Sequence, residues 1–147
     1  MKSIKKSDEA EEVFRSGITC SSAVFSTFAE ENGLPADVAR KIACGFGAGV
    51  SKTGNMCGAV SGAILAIGLK YGKSERTDTA ANEKTRALVR EFIAEFIRRN
   101  GSITCTELLG YNLANPDEYQ KAAESGLFLS RCPRYVRDAA DILERIL

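Results

Sequence analysis

Apolar residues recur at helical spacing along most of the chain, and no stretch sustains the alternation of a half-buried strand between turn residues. The strongest pattern runs from about Asn82 to Asn100, where Leu88, Phe92, Ile93, Phe96 and Ile97 form one apolar face and Gly101 ends the helix. Upstream, a first helix is expected from about Ser7 to Ser16, with Val13 and Phe14 inward and Gly17 beyond its end. Thr19 is placed to cap a second helix, whose face is Ala23, Val24, Phe25, Phe28 and Ala29 and whose stop is Gly33. Pro35 suits the first turn of a third helix running to about Ala43.

Between these elements and the long helix lies Gly45-Phe46-Gly47-Ala48-Gly49-Val50-Ser51-Lys52-Thr53-Gly54, which reads as a loop because its glycines lack helical preference. Asn55 is then a cap for a small-residue helix from Met56 to Tyr71, in which Gly58 and Gly62 lie one turn apart and offer a smooth face for another backbone. Downstream, Thr104 and Glu107 make a capping box for a short helix from Cys105 to about Leu109. Pro116 opens another short helix, and Pro133 opens the last, with Val136, Ala140, Ile142, Leu143 and Ile146 inward. The expected fold is all-α: one domain over residues 1–147, a compact bundle of about six to eight helices, with a glycine-rich loop before the central small-residue helix.

Charge removes several function classes. With 20 basic and 19 acidic residues in 147, the net charge is +1 and no long block of one sign exists, so nucleic acid is not an expected partner. The apolar run Met56 to Leu69 is broken by glycines and too short for a bilayer, so no membrane insertion is expected. The start, Met1 to Glu9, is basic and passes directly into acidic residues without a signal-type apolar core, which leads to the expectation of a cytoplasmic protein.

Histidine is absent and cysteine occurs five times. Chemistry is therefore sought at sulfur, since the thiolate is both the redox nucleophile and a soft-metal ligand. Cys20, Cys57, Cys105 and Cys132 each fall near an expected helix start, where the dipole favours a negative sulfur. One helix end contributes about 0.3 to 1 kcal/mol, so an acidic thiol needs several ends or a metal. Cys57 is the best single candidate, with Lys52 nearby in sequence and Arg131 beside Cys132, although solvated surface roles are the expectation for both cations. Cys44, at a helix end among Ile42, Ala43 and Phe46, is expected to be inert packing apart from the others. There is no CxxC pair, so the four sulfurs can meet only through the tertiary fold. The glycine stretch lacks the Lys-Ser ending and preceding strand of a phosphate loop.

The order Cys20, then Cys57-Gly58-Ala59-Val60-Ser61-Gly62, then Cys105, then Cys132 resembles the redox-active C_GCAxxG_C_C family, over nearly the whole chain. Phe46-Gly47-x-Gly49 and Leu108-Leu109-Gly110 extend the likeness, while the family label writes Gly-Cys where this chain has Cys57-Gly58. The resemblance implies four characteristic cysteines, at Cys20, Cys57, Cys105 and Cys132, with none at Cys44. It also implies genes near transporters and a related domain on split-Soret cytochromes, which favours metal ligation over bare thiols.

The expectation is thus one redox site of four cysteines, either ligating an iron-sulfur cluster or cycling between dithiol and disulfide, with a redox partner not identified by the sequence. No catalytic constellation beyond the cysteines is visible. The competing expectations are a structural zinc-thiolate domain and a non-catalytic interaction domain serving a transporter. A homodimer is compatible with the small-residue and amphipathic surfaces.

Overall fold

Left-handed glycines stop the helices where the hydrophobic pattern ends. Gly101 adopts φ 90° and donates its N–H to the Ile97 carbonyl, and Gly110 at φ 76° closes the short helix before it in the same way. The structure, a computed structural model, describes residues 4–147; Met1 to Ser3, within the basic start, lie outside the described residues. Its helices are α1 (Lys6–Arg15), α2 (Cys20–Ala29), α3 (Ala36–Ala43), α4 (Gly58–Tyr71), α5 (Thr79–Asn100), α6 (Cys105–Leu109), α7 (Pro116–Glu124), α8 (Leu127–Ser130) and α9 (Cys132–Ile146). Among the described residues no strand forms, and the fold is all-α.

Side-chain caps open three of the helices. Asp78 accepts from the Ala81 N–H at the head of α5, Thr104 from Glu107 at the head of α6, and Asn115 from Asp117 and Glu118 at the head of α7. Three expectations fail. Thr19 precedes α2 but makes no capping bond, its hydroxyl donating to the Ser22 hydroxyl at 2.9 Å. Asn55 caps nothing: its side-chain amide donates to the Thr53 hydroxyl and its carbonyl accepts the Cys105 N–H, both at 2.7 Å, and α4 begins after Cys57. The short α8 was not expected; it follows the left-handed Gly126 and bends the chain into α9.

The glycine-rich stretch is also more ordered than a loop. After a 3-10 turn at Cys44–Phe46, residues Ala48, Gly49, Val50, Ser51 and Lys52 all take positive φ, between 52° and 66°, forming a left-handed turn within Gly47–Lys52. Four of those five residues carry a Cβ, for which this conformation is strained.

The core is built around α4. Its Ala59, Val60, Ala63 and Ile67 are fully buried between α2, α5 and α9, which supply Val24, Phe92, Phe96, Val136 and Leu143. The Phe92 and Phe96 rings stack at 5.9 Å. Ile97 departs from its expected inward position and is 41% exposed, because one residue beyond Phe96 turns it about 100° away from the buried face. α1 packs on α9, where Arg137 grips Asp8 and Glu11 at 2.7 and 2.8 Å.

The contact between α2 and α4 positions the site. α4 offers glycine at positions 58 and 62, and an added Cβ at Gly62 would run into the backbone of Ser21. The Ser21 hydroxyl donates to the Ala43 carbonyl and the Ser22 hydroxyl to the Arg40 carbonyl, both at 2.7 Å. These bonds satisfy carbonyls left open at the end of α3, and they explain the two serines at the buried head of α2.

Candidate four-cysteine site

All four motif cysteines stand at helix starts. Cys20, Cys105 and Cys132 are the first residues of α2, α6 and α9, and Cys57 is the residue immediately before α4. An isolated antiparallel bridge, Met56 to Thr104, ties two of these starts together. Across it Cys57 donates its N–H to Ile103 and Cys105 donates to Asn55, each at 2.7 Å. The bridge is local, but it fixes two cysteines that are 48 positions apart in sequence (105 − 57).

Cys20, Cys57, Cys105 and Cys132 line one cavity of about 470 Å³. Leu108, Leu109, Leu113, Phe14 and Phe128 give it apolar walls, and Tyr119 and Tyr135 add aromatic ones. Gly58 is part of the wall for a steric reason: a Cβ there would meet the Cys20 sulfur. All five cysteines are free thiols.

The sulfurs influence one another. Burial is the first cause raising the pKa of each motif thiol, and neighbouring sulfurs add to it at Cys57, Cys105 and Cys132. Cys57 is pushed well above the ordinary range, Cys105 up to about 11 and Cys132 up to about 12, with Cys20 acting on all three. Backbone N–H groups oppose the rise, those of Ala48, Ser21 and Gly58 at Cys20 and those of Ala59 and Val60 at Cys57. The expectation of an acidic thiol at Cys57 therefore fails in the metal-free protein, since desolvation outweighs the helix ends.

The two cations near motif cysteines in sequence are engaged with other groups. Lys52 sits with its Nζ 4.2 Å from the Tyr119 ring centroid, and Arg131 donates to the Leu108 carbonyl at 3.1 Å. Cys44 departs from its expected role as inert packing. The 3-10 turn carries its side chain outward, and it lines the same cavity together with the exposed Ser51 and Lys52. Unlike the motif cysteines, it is exposed.

Two contributors, Tyr135 and Ala48, escaped the pattern reading. Tyr135 lines the cavity and donates its hydroxyl to the Leu108 carbonyl at 3.0 Å, locking α9 to α6. Its three-residue spacing from Cys132, on the same helix face, was the available signal. Ala48 and Gly49 line the cavity from the left-handed turn, and only the glycine gave a sequence signal.

Two features test a metal centre here. The donors facing the cavity are soft thiols, in a chain without histidine. Among the described residues, no three Cys, Asp or Glu side chains lie close enough to hold a single ion together. The donor chemistry is that of a thiolate-ligated centre.

Fold and cavity define a small all-helical protein with four cysteines gathered at helix starts around one apolar space. A family model described as "Putative redox-active protein (C_GCAxxG_C_C)" matches residues 18–146, and the chain belongs to that family. No curated protein and no solved structure matches it. Among the described residues no helix is long and apolar enough to cross a membrane.

Proposed function

We propose that Cys20, Cys57, Cys105 and Cys132 ligate an iron-sulfur-type centre and that the protein transfers electrons, or senses redox state, through it. The observation that carries this reading is the convergence of four thiols from four helix starts on one apolar cavity. A bound iron-sulfur centre supplies one-electron chemistry at potentials tuned by its surroundings.

This chain's residues supply the rest. The cysteines lose their protons on ligation, and the apolar walls make four uncompensated thiolates unfavourable, so cationic metal is needed to hold them in that state. Leu108, Leu109 and Phe128 give the sulfurs apolar neighbours along the cavity wall. Amides at the starts of α2 and α4 face Cys20 and Cys57 and stabilise negative sulfur.

A thiol/disulfide couple is the second reading, favoured by the electrostatic reach of Cys20 to each of the other three sulfurs. In that case two thiols give two protons and two electrons to a redox partner and form one S–S bond. A single structural zinc is less suited, because no three donors converge on one point among the described residues.

Anaerobic purification followed by iron and sulfide analysis and visible spectroscopy separates the readings. A brown protein containing iron and acid-labile sulfide supports the cluster. A colourless, metal-free protein that forms one intramolecular disulfide reversibly supports the couple, and stoichiometric zinc would overturn both.

A further inference from the structure

The left-handed turn within Gly47–Lys52 holds the positive-φ side-chain-bearing residues found among the described residues, and it lies against the sulfurs. Ala48, Val50, Ser51 and Lys52 have φ of 58°, 65°, 52° and 65°, a run that L-residues with side chains do not adopt unless their surroundings impose it. Several bonds impose it here. The Ser51 hydroxyl donates to the Gly45 carbonyl at 2.8 Å, the Thr53 hydroxyl to the Gly49 carbonyl at 2.8 Å, and the Asn55 N–H to that same carbonyl at 2.9 Å. Lys52 fixes the far end through its contact with the Tyr119 ring.

What the strained form achieves is local. Ala48 lines the cavity beside Cys20 and presents its amide to the Cys20 sulfur. One residue later, Gly49 faces Cys105 so closely that a Cβ on it would stand 2.6 Å from the Cys105 Cβ. A right-handed turn would redirect both groups, since inverting φ reverses the direction in which successive amides point.

We propose that this left-handed turn is the positioning element of the sulfur site, directing the Ala48 N–H onto the Cys20 sulfur while Gly49 seats the Cys105 side chain, so that one segment sets two of the four thiols. The inference rests on the reading of these cysteines as one site, and it concerns geometry present before any metal binds. Ala48 and Gly49 are positioning residues, acting through Cys20 and Cys105.

The test uses the reduced, metal-free protein, so its failure is distinct from failure to find a cluster. Amide hydrogen exchange by NMR should find Ala48 protected, and Cys20→Ala should speed its exchange at least tenfold while leaving the Phe96 amide in α5 unchanged. An Ala48 amide that exchanges as a free loop, or that ignores Cys20→Ala, overturns the proposal. In parallel, Gly49→Ala should raise the alkylation rate of Cys105 about tenfold relative to Cys132, whereas Val50→Gly, which suits positive φ, should leave both rates unchanged. Equal acceleration of Cys105 and Cys132 in Gly49→Ala would show general loosening and would also overturn it. If Gly49→Ala fails to fold, the exchange comparison between wild type and Cys20→Ala still decides.

Discussion

The sulfur of Cys20 occupies the space that a methyl group on Gly58 would fill, so the first motif cysteine and the first motif glycine are two halves of one steric fit. Gly62 makes the corresponding fit one turn later with the backbone of Ser21, the neighbour of Cys20. The glycines thus bring α2 against α4 at the depth that delivers Cys20 to the cavity.

The two glycines should therefore fail differently when replaced by alanine. At Gly62 the obstruction is backbone and cannot rotate aside, so overpacking of about 1–3 kcal/mol should outweigh a helix-propensity gain of up to about 1 kcal/mol. At Gly58 the nearest atom is a side-chain sulfur, so Gly58→Ala should lose less stability and displace Cys20 more. Denaturant midpoints and Cys20 alkylation rates check both. Adding Cys20→Ala should recover part of the Gly58→Ala loss and none of the Gly62→Ala loss, because only the first pair shares a contact.

Reactivity of the reduced, metal-free protein should divide the cysteines into two groups. Exposed Cys44 should alkylate fastest at pH 8, while Cys105, raised to about 11, has roughly a thousandth of its thiol ionised there. The same shifts set a pH dependence of folding. A thiol whose folded pKa is raised keeps its proton longer in the folded state, so stability is intact below the unfolded value of about 8.5 and falls as pH rises towards 11 to 12. Thermal midpoints measured from pH 7 to 10 should decline only in the alkaline half. A flat profile would contradict the burial of these sulfurs.

Much of this arrangement was legible in the chain, because helix starts are written in short-range chemistry. Thr104 with Glu107, Pro116 at a first turn, and Gly101 after an amphipathic run each specify a boundary within a few residues. The placement of four cysteines at such boundaries followed from the same signals. The left-handed turn did not, because Ala48, Val50, Ser51 and Lys52 have no intrinsic preference for positive φ and are held there by partners such as Gly45 and Asn55. Asn55 misled for a related reason: its expected capping role gave way to a bridge formed with a segment 50 residues downstream (105 − 55). The direction of the thiol pKa shifts was equally hidden, since helix-end position can be read locally whereas desolvation depends on Leu108, Phe128 and Tyr135 arriving from elsewhere.

Replacement of single cysteines should map the centre. Under the proposed function, Cys20→Ser, Cys57→Ser, Cys105→Ser and Cys132→Ser should each lower bound iron and bleach the visible absorption of anaerobic protein, while Cys44→Ser should retain both. Chelation of the wild type should lower its thermal midpoint, because binding confined to the folded state adds stability that removal takes away. Retention of full iron by any two of the four variants would argue against a single four-cysteine centre.

The left-handed turn also predicts a gain of stability from a substitution that removes a side chain. Val50 is β-branched and held at φ 65°, where a Cβ is disfavoured by roughly 1–2 kcal/mol. Glycine at this position removes that strain but gives the unfolded chain more freedom, a loss of about 0.5–1 kcal/mol. Val50 is half-buried, so little apolar area is forfeited. Val50→Gly should therefore raise stability by up to about 1 kcal/mol, seen as a higher denaturant midpoint with an unchanged slope. Val50→Ile, which keeps the branch and the strain, should show no such gain. A destabilised Val50→Gly protein would mean that the packing of Val50, and not the bonds from Ser51, Thr53 and Asn55, holds the turn in its left-handed form.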